Sequence, residues 1–427
     1  MKRQLIAAVS VATMLVSVAA CGSDGDSGTT KADSLTVWLM NDAQTNWPEL
    51  VDQVNKEFNA KYPDVKVKVQ YQQWSDKVQK LDAALAGSQA PDVVELGNTE
   101  TMTYILNGAL TEIDATAFEN SDTWIKGLKD TCTANGKLYC VPYYAGARVA
   151  VYNADMLKGA TGSADLPTTE DALLAAMDKV QAKYGAHDKA FSSLYLPGRY
   201  WYAAMSYVAA YGGSIAKFGT DGKWAASLNT PEAQQGIQHF IDLVKKYNHG
   251  DQTKDEQDHA NVMAKQKAAV IYGNGWESGT VITPPNGDPK LKDAIKTAGM
   301  PGPNGKALPS FIGGSDLAVT AKSKAPDLGK AWVAMFTSEK SEAVLAAKKI
   351  LPNNTKQLEP LKSDPATAPI ANAVPEAWFT PIAPGWASIE KQHVLPDMMV
   401  DILKGTSVAD ATKAADDKIN SLINNAS

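Results

Sequence analysis

Apolar and polar side chains recur near the start of the chain in a way that predicts a repeated strand–helix order. Residues 65–71 alternate strictly between apolar and polar, which predicts a strand. Residues 47–62 carry apolar side chains at helical spacing, from Leu50 to Phe58, which predicts an amphipathic helix. Two further strands and a helix are predicted at 35–39, 91–96 and 76–86. This order predicts an α/β fold, in which helices cover both faces of a mostly parallel sheet.

The rest of the chain is predicted to contain longer helices and isolated strands, without an internal repeat. Thr230 and Pro231 are typical of a helix start, with threonine as the cap and proline at the first position. Residues 284–309 are rich in proline and glycine and are predicted to form a loop. Helices are predicted at 168–184, 200–211, 230–247, 326–337, 338–348, 386–403 and 408–424, and strands at 268–272 and 311–319.

Residues 136–155 are predicted to be the segment around which the molecule bends. Asn135-Gly136 favours a tight hairpin turn, and a strand at 138–141 is expected to lose its regular pairing at Pro142. A second strand is predicted at 149–152. The residues between the two strands are Tyr143, Tyr144, Gly146 and Arg148. Aromatic rings, a glycine and a guanidinium suit a binding crevice, although a surface loop with partly buried tyrosines accounts for the same pattern.

Composition and charge indicate a globular protein that does not bind nucleic acid. The chain has 427 residues, 44% of them hydrophobic and 21% charged, which is enough for two or three domains of roughly 150 residues each. The net charge is −6 and no basic run is present, so a nucleic-acid partner is not expected. The sequence contains no complete catalytic or phosphate-binding motif, and the spacing of His249, Asp251, Asp255, Asp258 and His259 fits no metal site. No metal or cofactor is predicted.

The first residues are predicted to be a processing segment. Lys2 and Arg3 precede an apolar run that ends at Ala20, and this run is too short to span a membrane. Val18-Ala19-Ala20-Cys21 matches the lipobox of bacterial lipoproteins, in which the cysteine carries a lipid. We therefore expect a signal peptide at 1–20, lipidation of Cys21 and a flexible tether at 21–34. An ordinary signal peptide followed by an incidental cysteine is the alternative.

The other two cysteines flank the predicted hairpin turn. Cys132 and Cys140 are close enough in sequence to meet across it, and disulfides form in exported proteins. We expect a disulfide between them; two free buried thiols are the alternative.

Candidate ligand contacts follow from the sheet pattern and from the aromatic residues. In such sheets ligands bind beyond the carboxyl ends of the strands, which here selects Asn41-Asp42 and Asn98-Thr99. The sequence contains ten tryptophans, and a flat ring suits the C–H face of a sugar. Trp276-Glu277 and Tyr200-Trp201 are therefore candidate sugar contacts, although Trp276 could equally be a core residue. Glu95, Glu100, Glu277 and Asp316 could alternatively include a glycosidase pair.

From about residue 35 to 424 the chain resembles the extracytoplasmic solute-binding lipoproteins of carbohydrate ABC importers. The order and spacing of several short segments carry the resemblance. These segments are Leu35-Thr-Val-Trp38, Ala90-Pro-Asp-Val-Val94, Gly136-Lys-Leu-Tyr139 with Val141-Pro142 and Tyr152-Asn153, Leu228-Asn-Thr-Pro-Glu232, Lys267-Ala-Ala269 before Gly273 and Trp276, Gly313-Gly-Ser315, and Ala331-Trp332 with Thr337-Ser338.

The resemblance implies a type II periplasmic-binding-protein-like fold, with two α/β lobes joined by three crossings near 143–147, 312–314 and 351–353. Lobe one would comprise 35–145 plus 313–351, and lobe two 146–312 plus 352–427. Ligand contacts are implied at Asn41, Asp42, Asn98, Thr99, Tyr143, Arg148, Tyr200, Trp201, Trp276, Glu277, Ser315, Asp316 and Trp386.

The function implied is that of a receptor rather than an enzyme. A monomer on the outer face of the cell membrane would capture a di- or oligosaccharide and deliver it to the transmembrane permease of an ABC importer. Its only contact with the membrane itself would be the lipid on Cys21. An anchored glycoside hydrolase, or the same fold binding a non-sugar solute such as a polyamine, is the alternative.

Overall fold

The computed structural model describes residues 33–255 and 258–425. The predicted signal peptide, Cys21 and nearly all of the tether lie outside the described residues. Within the described part of the chain, no helix is both long and apolar enough to cross a membrane.

In the described part of the chain, nine strands form one mixed sheet in the order β2-β1-β3-β12-β6-β10-β7, with β11 and β13 also paired to β6. β1 pairs in parallel with β2 and β3, as the strand–helix pattern predicted. The prediction of a mostly parallel sheet is wrong, because every pairing that involves β6 or β12 is antiparallel. Two short hairpins, β4-β5 and β8-β9, lie outside this sheet. The strands are β1 (Ser34–Met40), β2 (Lys66–Gln72), β3 (Val93–Gly97), β4 (Thr133–Ala134), β5 (Lys137–Leu138), β6 (Val141–Asn153), β7 (Ser192–Tyr195), β8 (Ala216–Phe218), β9 (Trp224–Ala226), β10 (Ala268–Asn274), β11 (Ile295–Ala298), β12 (Ile312–Val319) and β13 (Leu351–Pro352).

The long strand β6 belongs to both halves of the sheet. Residues 141–147 pair with β12, whereas residues 148–152 pair with β10 and residues 150–153 pair with β11. β13 pairs with β6 at residues 144–145, so three chain segments lie side by side at this point. We call the β2-β1-β3-β12 side of β6 lobe one and its β10-β7-β11 side lobe two.

The prediction that regular pairing ends at Pro142 is wrong. Pro142 lies opposite Asp316 inside β6, and the register shifts between Ser315 and Asp316 so that Tyr143 is the extra residue of a bulge. A bulge is one of the few places where a strand tolerates proline. The carbonyl of Pro142 also accepts a hydrogen bond from Asn353 Nδ2 at 2.8 Å. The two predicted strands of this region are therefore one strand.

Eighteen helices among the described residues cover the sheet. Thr230 caps α9 by accepting a hydrogen bond from the N–H of Ala233, with Pro231 at the first position, as predicted. The helices are α1 (Asn41–Asn46), α2 (Pro48–Lys61), α3 (Lys77–Ala86), α4 (Thr101–Leu106), α5 (Lys126–Thr131), α6 (Ala154–Thr161), α7 (Glu170–Tyr184), α8 (Trp201–Ala210), α9 (Pro231–Tyr247), α10 (His259–Ala264), α11 (Glu277–Thr280), α12 (Pro326–Phe336), α13 (Glu339–Ala347), α14 (Leu358–Lys362), α15 (Ala368–Asn372), α16 (Trp386–Lys391), α17 (Val394–Leu403) and α18 (Val408–Leu422).

Two further sequence predictions need correction. The single helix predicted at 386–403 is two helices, α16 and α17, because His393 between them adopts a left-handed conformation with φ of 52°. The loop predicted at 284–309 contains β11, whose pairing with β6 overrides the local abundance of proline and glycine.

Each lobe has its own apolar core, and a third cluster lies beside β6. The lobe-one core includes Val37, Phe58 and Trp332, whereas Phe240 and Trp386 lie in the core of lobe two. The third cluster combines Ile125 and Leu128 of the lobe-one side with Val149 and Ile271 of lobe two. Apolar burial therefore stabilises the junction as well as the lobes.

Cys132 and Cys140 lie on either side of the β4-β5 hairpin. Their sulfur atoms are at bonding distance and their Cα atoms are 5.0 Å apart. This separation suits a disulfide.

Gly314 on β12 provides a test of how tightly the crossing segments pack. A Cβ added at Gly314 would lie 2.2 Å from the carbonyl oxygen of Tyr144. We expect Gly314→Ala to lower the free energy of unfolding by roughly 1–3 kcal/mol, because β12 and β6 would have to separate. Gly299→Ala is the control, since a Cβ there meets nothing within 4 Å. Urea unfolding measures the free energy of unfolding of both variants. Equal values for the two variants would contradict tight packing at the crossing.

Candidate functional site

The carboxyl ends of β1 and β3 bring polar side chains to one edge of lobe one. Asn41 and Asp42 begin α1 directly after β1, and both are partly buried. The indole N–H of Trp74 donates a hydrogen bond to Asp42 Oδ2. Burial raises the pKa of Asp42, although the bond from Trp74 opposes the shift. Two of the four residues selected by the strand-end rule, Asn41 and Asp42, thus share this edge with Trp74, which the sequence did not single out.

A buried charge cluster lies beside Asp42. Lys77 forms an ion pair with Glu100, which also accepts a hydrogen bond from the N–H of Gly97 at 3.0 Å. The ammonium of Lys77 lies 4.1 Å from the ring centroid of Trp74, an arrangement that favours a cation–π interaction. Glu95 accepts a hydrogen bond from the N–H of Met40 at 2.7 Å, and burial raises its pKa to about 7. The positive charge of Lys77 therefore stabilises the ionised forms of both Glu100 and Glu95.

Side chains of the two lobes meet opposite this cluster. Thr99 Oγ1 donates a hydrogen bond to Glu390 Oε2 of α16 at 2.9 Å. Thr103 Oγ1 donates to the carbonyl oxygen of Pro384 at 3.1 Å. The structure thus has its lobes in contact, and it places Thr99, a predicted ligand contact, at their boundary.

Trp276 lies where lobe two meets β6. Its half-buried ring packs edge-on against Tyr144, with the ring centroids 6.2 Å apart and the planes at 76°. A Cβ at Gly146 would lie 2.4 Å from Trp276 Cζ3, so only glycine at this position leaves room for the indole. The ring also packs against the lobe-one core although it belongs to lobe two. Trp276 is therefore a boundary residue with part of its ring accessible.

Glu277, its neighbour, points back into its own turn. Glu277 Oε1 accepts a hydrogen bond from the N–H of Asn274 at 2.8 Å, and Oε2 lies 3.7 Å from Nδ1 of the buried His259. Burial lowers the pKa of His259 to about 3, so this imidazole is neutral at pH 7. The Glu277 carboxylate thus orders the turn that carries Trp276.

The aromatic residues of lobe two form a continuous group. Trp201 stacks on Tyr202 with centroids 3.8 Å apart, and Trp386 lies 6.1 Å from Trp201. Tyr202 also stacks on Phe311, with the guanidinium of Arg148 4.9 and 4.8 Å from the two ring centroids. Tyr200, Trp201 and Trp386 are buried, whereas Tyr202 and Trp378 are half-buried. Tyr202 and Trp378 thus offer more accessible ring surface than Tyr200, Trp201 and Trp386.

Three other candidate residues lie inside lobe one. Tyr143 is buried, and its hydroxyl accepts a hydrogen bond from the indole N–H of Trp47. Ser315 and Asp316 are buried on β12, where Asp316 Oδ2 accepts hydrogen bonds from Thr101 at 2.8 Å and Thr131 at 3.3 Å. Burial raises the pKa of Asp316 to about 7. These contacts tie the residues to the lobe-one interior.

Asp316 also belongs to a compact group of potential metal ligands. Among the described residues, Cys132, Cys140 and Asp316 offer ligand atoms within 4.8 Å of one another. The two sulfur atoms are at bonding distance from each other, and a disulfide supplies no thiolate ligand. The arrangement therefore does not fit a metal site.

Comparison with known proteins identifies the family. The family described as bacterial extracellular solute-binding protein matches residues 53–370. A diacetylchitobiose-binding protein of Streptomyces coelicolor is 33% identical over 98% of both chains. This chain belongs to the bacterial extracellular solute-binding proteins. Membership of this extracellular family agrees with an extracytoplasmic location.

Solved structures confirm the two-lobed α/β fold predicted for this solute-binding protein. A solute-binding protein of an ABC transporter from Thermotoga lettingae, solved with α-D-tagatose, is 23% identical with a TM-score of 0.79 and covers 92% of this chain and 100% of its own. The GacH receptor of Streptomyces glaucescens, solved unliganded and with acarbose, is 21% identical with a TM-score of 0.77 and covers 92% and 99%.

The sequence alone missed several residues at the lobe boundary. Glu390 lies within a predicted helix, and nothing local distinguishes it from other helical glutamates. Trp74 and Lys77 precede and begin α3, and only the folded arrangement brings them to Asp42 and Glu100. Tyr202 could have been found, because it continues the aromatic run that contains Tyr200 and Trp201.

The buried carboxyl group of Asp316 predicts how stability depends on pH. Its pKa rises from an ordinary 3.8 to about 7 on folding, so the folded state binds more protons than the unfolded state between these values. Stability contributed by this group therefore falls as pH rises through that range. We expect Asp316→Asn, relative to the wild type, to gain about 2–3 kcal/mol between pH 5 and pH 8.

Urea unfolding of both proteins at several pH values measures this difference. Glu359→Gln, at an exposed site on α14, is the control and should change with pH as the wild type does. Parallel stability curves for the wild type and Asp316→Asn would show that Asp316 is ionised in the folded protein.

Proposed function

We propose that this solute-binding protein captures a di- or oligosaccharide between its lobes and delivers it to the transmembrane permease of an ABC importer. The diacetylchitobiose-binding relative, similar over nearly the whole chain, supports an oligosaccharide ligand. Galactooligosaccharide-binding and maltodextrin-binding proteins of Bacillus subtilis are more distant relatives of the same type. We propose that the protein acts as a monomer and catalyses no reaction.

The position of Trp276 is the observation that carries this proposal. Its ring lies between the lobes, over Gly146 of the shared strand and beside Tyr144. Carboxyl and amide groups at the ends of β1 and β3 provide polar partners on the lobe-one side. A sugar needs such a combination, because its C–H face packs on a ring while its hydroxyl groups form hydrogen bonds with planar polar groups.

We propose that the residues predicted from sequence have two roles. Asn41, Asp42, Asn98, Thr99 and Trp276 would contact the ligand. The remaining predicted residues would hold the walls in place, namely Tyr143, Arg148, Tyr200, Trp201, Glu277, Ser315, Asp316 and Trp386. The lobes would be divided as the sequence predicts, at 35–145 plus 313–351 and 146–312 plus 352–427, since β6, β12 and β13 meet at the proposed crossings.

Calorimetric titration with diacetylchitobiose, maltose and galactobiose, followed by permease-dependent uptake, tests the function. A disaccharide of about 23 heavy atoms at ~0.3 kcal/mol per atom gives about −7 kcal/mol, or a Kd near 10 μM to within an order of magnitude. Absence of binding to every sugar, together with binding of a polyamine, would favour the non-sugar alternative.

The glycoside hydrolase alternative is weaker. Of the four acids that the sequence offered, Glu277 hydrogen-bonds its own turn and Asp316 lies in the lobe-one interior. Glu100 is paired with Lys77. A glycosidase needs two carboxyl groups that face the scissile bond from opposite sides. The family and the structural neighbours are binding proteins, which also favours a receptor.

Replacing Trp276 tests its place in the ligand site. We expect Trp276→Ala to weaken sugar binding by roughly 30-fold to several hundred-fold, because central aromatic residues carry a large share of binding energy. Trp224→Ala on the β8-β9 hairpin of lobe two is the matched control and should leave affinity unchanged. Titration and thermal unfolding of both variants separate binding from stability. Unchanged affinity in a well-folded Trp276→Ala protein would remove Trp276 from the site.

We further propose that Cys21 is lipidated and anchors the exported protein to the outer face of the cell membrane. The lipobox before it and the polar tether after it support this proposal.

We also propose that Cys132 and Cys140 form a disulfide once the chain has been exported.

Cys21→Ser should release the protein from the membrane fraction, because the acceptor thiol for the lipid is lost. Ser27→Ala in the same tether is the control and should stay membrane-bound. Fractionation at high salt measures the distribution. A Cys21→Ser protein that remains in the membrane fraction would show that something other than a lipid on this cysteine holds it.

A further inference from the structure

The segment from Pro384 to Lys391 of lobe two makes a set of polar contacts with lobe one. The carbonyl of Pro384 accepts a hydrogen bond from Thr103, and Glu390 accepts one from Thr99. The ammonium of Lys391 lies 3.9 Å from the carboxylate of Asp82 on α3. α16 and the residues just before it thus lie against the carboxyl end of β3, against α4 and near α3.

Glu390 differs from the two other carboxyl groups whose pKa burial raises to about 7, namely Glu95 and Asp316. The hydrogen-bond partner of Glu95 is Met40, and those of Asp316 are Thr101 and Thr131, all in lobe one. Their surroundings therefore stay the same when the lobes move relative to each other. Glu390 alone of these three is bonded across the boundary, so opening the lobes changes its environment.

We propose that Thr99 and Glu390 form an interlobe latch, in which Glu390 is a positioning residue that holds α16 against lobe one when the cleft closes on its ligand. This inference rests on the proposed sugar-binding function. Ligand affinity then includes the free energy of forming the latch, because only the closed state has it.

The charges around Glu390 make the latch sensitive to pH. Burial, and then the negative charge of Glu100, raise the pKa of Glu390 to about 7, against the opposing effects of the hydrogen bonds with Thr99 and Trp386 and of the positive charge of Lys77. On its own side of the boundary, the exposed Lys391 and His393 follow it in the chain. Opening the lobes would return Glu390 toward its ordinary pKa of 4.5. Closure therefore takes up a proton between these values.

The sign of the effect follows from this proton uptake. Because the closed state binds more protons than the open state, ligand affinity is highest at low pH and falls as pH rises from about 5 to 7. One proton changes affinity by at most tenfold per pH unit. Since Glu390 is only partly buried, we expect about tenfold weaker binding at pH 8 than at pH 5.5.

Glu390→Gln is the decisive variant. Glutamine keeps the oxygen that accepts from Thr99 and cannot ionise, so it imitates the protonated latch. We expect it to bind the sugar as the wild type does at pH 5.5 and about tenfold more tightly than the wild type at pH 8, in calorimetric titrations. The control, Glu359→Gln on α14, should keep the wild-type pH profile. Equal pH profiles for the wild type and Glu390→Gln would overturn the proposal.

A double-mutant cycle separates the latch from direct ligand contacts of Thr99. Thr99→Val and Glu390→Ala should each weaken binding several-fold, and the double variant should lose little more than either one. Thr99→Ser, which keeps the hydroxyl, should restore most of the affinity. Additive losses would mean that Thr99 and Glu390 act independently and would also overturn the latch.

Small-angle scattering of the ligand-free protein makes failure of the latch distinguishable from failure of the sugar proposal. The wild type should be more compact at pH 5.5 than at pH 8, and Glu390→Gln should be equally compact at both. This result would support the latch even if no sugar binds at any pH. If sugars bind but compactness and affinity are independent of pH, the function stands and the latch does not.

Discussion

The continuity of β6 is the constraint on which the rest of the structure depends. A single strand pairs with β12 over its first half and with β10 over its second half. Relative motion of the lobes must therefore occur by twisting of this strand and of its neighbours β12 and β13, because breaking the ladder would leave buried backbone groups without hydrogen-bond partners. The crossing is built from small residues such as Ala145, Gly146 and Gly314, which let the three segments approach closely.

The same constraint explains why the candidate site lies where it does. Gly146 leaves the space that the Trp276 ring occupies, so the strand that joins the lobes also forms the floor beneath the aromatic residue. Thr99 and Glu390 meet across the lobe boundary beside the same junction, since the N–H of the neighbouring Asn98 donates a hydrogen bond to the carbonyl oxygen of Gly314. A proposed ligand would thus be held by a fixed ring near β6 and enclosed by contacts that form only on closure.

Much of the fold could be predicted from the sequence because its signals are local. Strict alternation at 65–71 and the Thr230-Pro231 helix start each depend on a few neighbouring residues, and the structure has both elements. The prediction for Pro142 failed because a bulge, set by pairing with β12, overrides the local rule against proline in strands. His393 ends one helix and begins the next through its backbone conformation, which no periodicity reveals.

The candidate site was harder to predict because its parts are distant in sequence. Strand-end rules predicted Asp42 and Thr99 as ligand contacts from neighbouring residues alone, but Glu390 reaches Thr99 across 291 positions. Residue type also did not separate Trp276 from Glu277: the first keeps an accessible ring, while the second turns inward to bond Asn274. Whether an acid next to a cleft contacts a ligand, orders a turn or joins two lobes depends on which hydrogen-bond donors the fold places within 3 Å of it. Three carboxyl groups of similar pKa can therefore have unrelated roles, and only the one with a partner in the other lobe can couple protonation to closure.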